Sequence, residues 1–556
     1  MSTTLTTTAL DVAIGARTLV TALDLVVADG DVTALVGPNG SGKSTLMRTL
    51  VGQLPVVHGE IRVAPSDAAL AWLPQQLPDP AETLLAYVRR RTGVTASERE
   101  LEQAAAALAA GEAGADDRYA GALERWLALG AADLDARLPE LAASVGLEVD
   151  PSRRLGTLSG GQAARASLVA VLASRNDVLL LDEPTNNLDG RGLDLVVDFV
   201  RAHTGPVLVA SHDRHFLDAV ATGVVELDLH QQQVSHYTGG WSEYVAQRDL
   251  ARRRERQGYE AYAHNRDRLL AQSRQRREWA ERGRRSAGRD AATRTEADKH
   301  IREKHRARAD RQAARGARIE RAAGRLAAVD QPRKEWQLRY SVNEGSPSAD
   351  VVATLADAVV ERDGFRLGPV TLALERGDRV GVRGDNGSGK STLLAALLGR
   401  LHLTAGRGSL GARVEVGVLD QDRSLLETDG SLVDVARAAL GRSPATGHEW
   451  DAADVRTLLA KFGLAAGHVG LPARCLSMGE RTRAVMAVFQ GREVNTLVLD
   501  EPTNHLDVAA IEQLEAAVAA FTGTVVVVTH DQRFAEAVGL TRLWHLTGGS
   551  VRVEEL

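Results

Sequence analysis

Three things are scarce in this sequence: cysteine, lysine and long apolar runs. The one cysteine among 556 residues is Cys475, so no internal disulfide can form. A membrane-spanning helix needs about 20 apolar residues, and the longest candidates, Val178–Leu181 and Val525–Val528, have only the length of strands. The N-terminal segment MSTTLTTTAL has neither a basic region nor an apolar core, so a secretory signal is not expected. These absences favour a cytoplasmic protein.

Lysine is scarce because arginine takes its place, and the arginines are unevenly distributed. Residues 248–339 contain 28 Lys and Arg against 14 Asp and Glu, a net charge of +14, whereas the whole chain has a net charge of −6. The rest of the chain is therefore strongly acidic. A basic block inside an acidic chain indicates a polyanionic partner such as nucleic acid.

A glycine-rich segment occurs twice. GPNGSGKS at 37–44 returns as GDNGSGKS at 384–391, each time after a short apolar strand pattern and before a helical one. In that context the glycines let backbone N–H groups point at phosphates, and the helix N-terminus adds its positive dipole end. The two lysines would reach the β- and γ-phosphates, and the hydroxyls of Ser44 and Ser391 would hold Mg²⁺. The predicted nucleotide-binding residues are Gly37, Pro38, Asn39, Gly40, Ser41, Gly42, Lys43, Ser44, Thr45, Gly384, Asp385, Asn386, Gly387, Ser388, Gly389, Lys390, Ser391 and Thr392.

Each half later ends an apolar run with an Asp-Glu pair. Asp182 and Glu183 follow LLL, and Asp500 and Glu501 follow LVL. Such runs are typical of buried parallel strands, and ligands bind at the carboxyl ends of those strands. We therefore predict that the two aspartates bind Mg²⁺. The two glutamates are predicted to polarise the attacking water.

A short serine-containing motif precedes each Asp-Glu pair at the same spacing. LSGGQ ends at Gln162 and LSMGE ends at Glu480, and the serine of each motif is equally far from the aspartate that follows it. Met478 stands where the first copy has a glycine, so equal activity of the two copies is in question. The motif residues predicted to contact nucleotide are Ser159, Gly160, Gly161, Gln162, Ser477, Met478, Gly479 and Glu480.

Two histidines and two glutamines also recur at matched spacings. His212 and His530 each follow an apolar strand, and both are equally far from the glutamate of their own half, which favours γ-phosphate sensing over a purely structural role. The two glycine-rich segments, called P-loops below, contain Lys43 and Lys390. Gln75 and Gln421 follow these lysines at nearly equal spacings and are predicted to contact Mg²⁺ or its water. The register of Gln75 against Gln76 stays open.

The basic segment has the composition of a helical hairpin. From Tyr244 to about Gly283, and again from about Ala297 to Ala328, strong helix formers dominate. The small residues and arginines of Gly283–Arg294 lie between, which predicts the turn of an antiparallel pair. A solvated charged coil and a disordered basic linker are the alternatives. Nucleic-acid contacts are predicted at Arg282, Arg284, Arg285, Arg289 and Arg294.

The order of these motifs, present twice, resembles the ATP-binding cassette superfamily. The resemblance implies two cassettes paired head to tail with two ATP molecules between them. Site one would combine the first P-loop, Asp182 and Glu183 with Ser477–Glu480. Site two would combine the second P-loop, Asp500 and Glu501 with Ser159–Gln162. An aromatic residue for adenine stacking is not evident: Ile14 occupies the expected place in the first half, and Phe365 is a candidate in the second.

The chain resembles the ABC-F family more narrowly. The motifs DEPTNNLD and DEPTNHLD, the segment SHDRHFL, and a helical segment after YTGGWSEY carry this resemblance. It implies an α/β fold with cassettes at 1–240 and 341–556, joined by a helical hairpin at 241–340. It also implies a monomer without a membrane domain that uses ATP and Mg²⁺ and binds the ribosomal E site, contacting 23S rRNA, 50S proteins and P-site tRNA.

Some members of that family protect ribosomes from antibiotics and others regulate translation. The sequence favours protection, because of the Met478 motif and a first cassette that is longer than the second between its glutamine and its motif serine. An energy subunit of a membrane transporter and a DNA-remodelling ATPase are the rivals from other classes. The basic hairpin has no evident role in the former, and the latter would place its coil inside a single cassette.

Overall fold

The computed structural model describes residues 2–15, 17–66, 68–74, 79–186, 188, 190–228, 233–289, 296–325, 348–362, 364–421, 423–442, 447 and 449–556. The chain divides into two compact units, Met1–Ser242 with Trp336–Leu556, and Glu243–Glu335. The first unit contains both cassettes, and the second contains most of the basic segment. Among the described residues, no helix is both long and apolar enough to cross a membrane.

The first cassette consists of two sheets and surrounding helices. Its strands are β1 (Thr4–Ile14), β2 (Arg17–Ala28), β3 (Val32–Val36), β4 (His58–Ala64), β5 (Leu70–Leu73), β6 (Val178–Asp182), β7 (Val207–Ala210), β8 (Gly223–Asp228) and β9 (Gln233–Thr238). An antiparallel sheet has the order β2-β1-β4, and a larger sheet has the order β5-β6-β7-β3-β8-β9, parallel except for β9. Strands β3, β6 and β7 are buried along their whole length, as their uninterrupted apolar sequences require.

The helices of the first cassette include a pair without a counterpart in the described part of the second. They are α1 (Lys43–Leu50), α2 (Leu84–Arg91), α3 (Val94–Ala109), α4 (Ala115–Ala128), α5 (Leu134–Ser144), α6 (Gly160–Ala173), α7 (Gly190–Ala202) and α8 (Arg214–Val220). Helices α3 and α4 pack against each other. They account for the greater length that the motif spacing indicates in this cassette.

The second cassette repeats the plan. Its strands are β10 (Val351–Arg362), β11 (Phe365–Glu375), β12 (Arg379–Arg383), β13 (Ala405–Leu410), β14 (Val416–Leu419), β15 (Thr496–Asp500), β16 (Thr524–Val528), β17 (Arg542–Thr547) and β18 (Ser550–Glu555). The sheet orders are β11-β10-β13 and β14-β15-β16-β12-β17-β18. Two helices of the basic segment, α9 (Trp241–Arg289) and α10 (Glu296–Gly324), come earlier in the chain. The helices of the second cassette are α11 (Lys390–Leu397), α12 (Leu432–Leu440), α13 (Ala452–Lys461), α14 (Ala466–Val469), α15 (Met478–Gly491), α16 (Val508–Ala520) and α17 (Gln532–Val538).

The basic segment forms the predicted helical hairpin. Helix α9 (Trp241–Arg289) and helix α10 (Glu296–Gly324) pack through small side chains, since Ala280, Ala309 and Ala323 are buried. The hydroxyl of Ser273 donates to the carbonyl of Gly316 at 3.1 Å. Small residues allow two helix backbones to approach closely, so this thin seam suffices to pair them.

The position predicted for the hairpin turn was partly wrong. Helix α9 continues past the expected end at Gly283 as far as Arg289. A glycine inside a helix costs only about 1 kcal/mol relative to alanine, and the neighbouring arginines and alanine are good helix formers. The rest of the predicted turn, 290–294, lies outside the described residues.

Candidate active site

The two P-loops have nearly the same backbone conformation. Gly40 and Gly42 have φ of 82° and 102°, and Gly387 and Gly389 have φ of 82° and 101°. Only glycine adopts this left-handed region without strain. A Cβ on Gly389 would also lie 2.5 Å from Cζ of Phe365, so the ring of that residue lies directly against the second P-loop. Its role in adenine stacking stays a prediction.

Each P-loop lysine is held by its own loop. Lys43 Nζ donates to the carbonyl oxygens of Gly37 and Pro38 at 2.8 and 3.4 Å. Lys390 Nζ makes the matching bonds to Gly384 and Asp385 at 2.6 and 3.3 Å. Burial lowers the pKa of Lys43, while nearby carboxylates oppose this. The ammonium group at each site is thus positioned on the loop that would surround a phosphate.

A hydroxyl and a carboxylate meet beside each lysine. Ser391 Oγ donates to Asp500 Oδ2 at 3.1 Å, and Ser44 is hydrogen-bonded to Asp182 in the same way. Burial raises the pKa of both aspartates. Hydroxyl and carboxylate oxygens are hard ligands of the kind Mg²⁺ takes, so the donor set fits the predicted metal.

The two glutamates have a strained backbone and altered acidity. Glu183 and Glu501 have φ of 51° and 45°, a region that non-glycine residues rarely occupy and that often marks functional sites. Burial raises the pKa of Glu183 to about 8 and that of Glu501 to about 7, although the adjacent lysines oppose the rise. A carboxylate with a pKa near neutrality is suited to accept a proton from water.

Each histidine faces the glutamate of its own cassette. The Nε2 atoms of His212 and His530 lie 3.5 Å from Oε1 of Glu183 and Glu501 respectively. In the second cassette, Lys390 Nζ is also 3.4 Å from His530 Nε2. Burial lowers the pKa of His212 well below its usual range, so its imidazole is neutral. The structure thus brings lysine, glutamate and histidine together in each half.

The serine motifs begin helices through matching capping boxes. Ser159 Oγ accepts from the backbone of Gln162 and the Gln162 side chain accepts from the backbone N–H of Ser159, and Ser477 and Glu480 do the same. Gln162 and Glu480 therefore stabilise the starts of their helices, a role that was not predicted from the sequence. Met478 is the first residue of its helix and packs against the core of the second cassette.

One of the two predicted glutamines, Gln421, lies among the described residues. Gln75, with Gln76, lies outside the described residues. Gln421 lines a cavity between the cassettes, and its backbone carbonyl accepts from Arg423 Nη1. Arg423, which sequence reasoning missed, is fully buried and also donates to the carbonyl of Pro502 at 2.8 Å. It therefore fixes the Gln421 segment against the loop that follows Glu501.

The cassettes contact each other at the P-loops. The backbone N–H of Asn39 donates to Asp507 Oδ2 at 3.1 Å, and Asn39 Nδ2 donates to the carbonyl of His505 at 3.0 Å. On the other side, Arg191 and Asp385 lie 3.9 Å apart. In both directions, the segment after one Asp-Glu pair reaches the P-loop of the other cassette.

A cavity of about 590 Å³ lies at this interface. Its lining combines the whole first serine motif, Ser159–Gln162, with Asn386, Gly387, Glu501 and His530. These are the components expected of site two. The first P-loop and the second serine motif, expected at site one, do not line this cavity, although Glu183 and His212 of the first cassette do.

An ion cluster missed by sequence reasoning joins the cassettes beside the histidines. Arg214, two residues after His212, bonds to Glu515 through two nitrogens and to Asp531 at 3.2 Å. A second pair, Arg533 and Asp218, joins α17 to α8 at 2.7 Å. Arg214 lies within the SHDRHFL segment, so its position could have drawn attention in the sequence. Its partners, however, are more than 300 positions away.

The predicted nucleic-acid arginines are only partly described. Arg282 and Arg285 are exposed on α9, and Arg282 makes a weak 3.4 Å contact with Glu278. The side chains of Arg284 and Arg289, and the whole of Arg294, lie outside the described part of the chain.

Two cassettes with these motifs, in contact through their P-loops, define a tandem nucleotide-binding ATPase. Both match the ABC transporter family, over residues 20–186 and 367–504. The tylosin resistance ATP-binding protein TlrC of Streptomyces fradiae is 34% identical over 93% of this chain and 92% of its own. The ATP-binding protein Uup of Escherichia coli strain K12 is 30% identical over 95% of this chain and 77% of its own.

The ribosome protection protein VmlR of Bacillus subtilis is 28% identical over 93% of this chain and 82% of its own. The crystal structure of an archaeal ribosome recycling factor, in complex with a ribosomal stalk protein, covers 98% of this chain and 89% of its own with a TM-score of 0.58. At 17% identity that likeness concerns the fold alone. The chain belongs to the ABC-F family of tandem ATP-binding cassette ATPases.

Proposed function

We propose that this chain protects ribosomes from 50S-directed antibiotics by binding the ribosomal E site in its ATP-bound, closed form. One observation supports the dependence on ATP. The serine motif of the first cassette lines the same cavity as P-loop residues, Glu501 and His530 of the second cassette. TlrC is by name a tylosin resistance protein and VmlR a ribosome protection protein. Similarity to both over more than nine-tenths of the chain supports the same role here.

ATP and Mg²⁺ fit the residues at each site. The hydroxyls of Ser41 and Ser388 are buried without a hydrogen-bond partner among the described residues, as expected of groups that a phosphate-binding loop keeps for its ligand. The lysines and loop amides would hold the β- and γ-phosphates. Mg²⁺, held by Ser391 and Asp500 at site two, would neutralise charge on the phosphates. Glu501 would take a proton from the attacking water.

ATP can drive a conformational change only if it binds one state better than the other. In the closed state, both cassettes contribute to each nucleotide site, so ATP stabilises that state. Hydrolysis removes the γ-phosphate contacts and permits opening and release. The cycle is thus a clamp whose closed form binds the ribosome.

The hairpin supplies the contact with RNA. Its helices expose many arginines, whose planar guanidinium groups bind phosphates bidentately and stack on bases. We place the hairpin against P-site tRNA and the 23S rRNA of the peptidyl-transferase centre, with 50S proteins as further contacts. Such binding should weaken strongly as salt rises, because counterions are released from each neutralised phosphate.

The decisive experiment is a susceptibility panel in a drug-sensitive host. Wild type should reduce susceptibility to one or more 50S-directed drugs, with tylosin the first to test because of TlrC. A variant with Glu183→Gln and Glu501→Gln should lose the protection. An exposed-surface variant, Arg552→Gln, serves as the matched control. Unchanged susceptibility to every such drug would favour a housekeeping translation factor instead.

Ribosome binding is tested separately by cosedimentation with 70S particles. The double Gln variant should pellet with ribosomes more strongly than wild type in the presence of ATP, because it cannot leave the closed form. Equal or weaker pelleting would contradict the clamp. Replacing Arg282 and Arg285 by Glu should weaken binding and flatten its salt dependence, whereas a charge reversal that changes neither would contradict the hairpin's role.

A further inference from the structure

A second cavity, of about 220 Å³, lies at the cassette interface beside site two. The first cassette lines it with Asp213 and with residues that follow Glu183, and the second lines it with Arg383, His530 and Gln532. Asp213 and His530 line the larger cavity as well. The two spaces therefore adjoin, with His530 at their common boundary.

Arg383 is the notable group in this space. It ends β12 and immediately precedes the second P-loop. Its guanidinium has no hydrogen bond, ion pair or ring contact with the described part of the chain, although it is partly buried. A guanidinium carries five N–H donors and stays charged at all physiological pH values. A guanidinium that lines a cavity and has no partner among the described residues can bind an anion there.

The opposite side of the interface differs at the positions that correspond to Arg383 and Gln532. Val36, which is buried and apolar, precedes the first P-loop where Arg383 precedes the second. The position of Gln532 is taken there by Arg214, whose charge is met by Glu515 and Asp531. One side of the interface therefore has an arginine fully neutralised by carboxylates. The other side has an arginine facing open space.

The described lining of this cavity carries little negative charge that would repel an anion. Among the described residues that line the cavity, Asp213 is the one carboxylate, and it already accepts a hydrogen bond from the backbone of Phe216 at 2.9 Å. Burial raises the pKa of Asp213, although hydrogen bonds from the backbone of Phe216 and His215 oppose the rise. At roughly 30 Å³ per water molecule, the cavity holds a small tetrahedral anion together with several waters.

We propose that this cavity binds inorganic phosphate, and that phosphate cleaved at site two moves past His530 to Arg383 before it leaves the protein. The inference rests on ATP hydrolysis as given under the proposed function. In that step a water oxygen bonds to the γ-phosphorus, the β–γ bridging oxygen departs with ADP, and Glu501 accepts the water proton. The site is specific to the second P-loop, because the first has valine at the matching position.

The test compares Arg383→Val, which installs the first cassette's own residue, with Arg383→Lys and with Arg552→Val, an exposed arginine far along the same chain. In single-turnover reactions, quenched flow measures ATP cleavage and a fluorescent phosphate-binding sensor measures release. Loss of a charge-assisted contact should slow phosphate release about tenfold, with cleavage changed less than about twofold. Arg383→Lys should fall between, and Arg552→Val should match wild type. Equal slowing of cleavage and release, or unchanged release, would overturn the proposal.

A second measurement does not depend on hydrolysis. Binding of radiolabelled inorganic phosphate to the ADP-loaded protein, whose P-loops are already filled, should be present in wild type and lost in Arg383→Val, with thermal melting used to verify folding. Failure here with normal ATPase activity refutes the phosphate site alone, whereas absent ATPase activity with intact phosphate binding refutes only the proposed function. Turnover in ¹⁸O-water identifies the source: retained phosphate carries the heavy oxygen only if the protein's own hydrolysis produced it.

Discussion

The two cassettes hold their P-loops in almost the same conformation, yet they meet each other through different side chains. The glycine dihedrals, the lysine–carbonyl bonds and the serine–aspartate bonds all recur in both halves. Beside the histidines, however, the first half presents Arg214 and the second presents Gln532. The groups predicted to perform the chemistry are therefore duplicated, whereas the groups that join the cassettes are not.

This contrast beside the histidines indicates where two sites of the same composition can behave differently. Arg214 lies two residues after His212 and bonds to Asp531, the neighbour of His530. It thus ties the two histidine segments together on one side. On the other side of the interface, a cavity lies beside His530 and Gln532. We therefore expect a change of nucleotide state to act against an ion cluster on one side of the interface and against a cavity on the other.

The largest expected effect comes from the glutamates. Glu183→Gln with Glu501→Gln should reduce ATP turnover by about 100-fold or more, since a positioned general base contributes at least that factor. Of the single variants, Glu501→Gln should lose more activity, because the serine motif expected at site two lines the larger cavity and the one expected at site one does not. Steady-state phosphate release measures all three.

ATP binding, followed with a fluorescent analogue, is the control for these variants, since the amide is nearly isosteric and should leave affinity intact. If Glu183→Gln lost more activity than Glu501→Gln, the comparison between the two sites would be reversed. Equal losses would show that the asymmetric contacts do not reach the chemistry.

Breaking the Arg214 cluster should have the next largest effect, on stability. Arg214→Gln leaves Glu515 and Asp531 as partly buried carboxylates without their cation. Removing one member of a buried ion cluster costs about 3–5 kcal/mol, and the partial exposure of these groups places the expected loss near the lower end. Chemical denaturation of the full chain measures it.

The counterpart residues of the other half provide the control. Adding Glu515→Val, the residue found at position 197 in the first cassette, should recover part of the lost free energy, because an apolar side chain replaces an unpaired charge. A double variant less stable than Arg214→Gln alone would contradict this account of the cluster.

What could be predicted from the sequence was local, and what could not be predicted was distant. Asp182, Glu183 and the P-loop lie within short motifs whose neighbours fix their conformation, so their grouping was foreseen, although their catalytic roles remain predictions. Arg214 and Asp531 are separated by 317 positions. No periodicity or spacing connects such residues; only the pairing of the cassettes brings them together.

The helical hairpin was also predicted only in part from the sequence, for a different reason. Its helices were foreseen from composition. The apolar side chains that recur at helical spacing along them include Tyr259, Leu269 and Ile319. In the structure these are only half-buried, and the closest packing is made by small residues, among them Ala280 and Ala309. Alanine is common throughout this chain, so its burial at a helix–helix contact leaves no distinctive signal in the sequence.

The pH dependence of activity should separate the two sites by about one unit. The ionised glutamate is the active form, so the rate rises as pH increases through its pKa. Burial raises these pKa values to about 8 for Glu183 and about 7 for Glu501. Glu183→Gln, which leaves site two active, should therefore show its midpoint near pH 7, and Glu501→Gln should show it near pH 8. Coincident midpoints would contradict the difference in burial.

The smallest effect is expected at the residue that most distinguishes the serine motifs. Met478 occupies the first turn of α15, next to Ser477, whose φ of −61° matches the −66° of Ser159. The helix start thus has the same form with methionine as with glycine. Met478→Gly should cost at most about 1 kcal/mol of stability through greater freedom of the unfolded chain, and it should change ATP turnover less than about twofold.

Thermal melting and steady-state turnover, measured beside Gly160→Met, complete this comparison. The reciprocal variant should also fold, because the capping box between Ser159 and Gln162 does not involve the side chain at position 160. A several-fold gain in turnover from Met478→Gly would show that methionine restrains site one. The asymmetry of the two sites would then arise in the serine motifs as well as in the arginines beside the histidines.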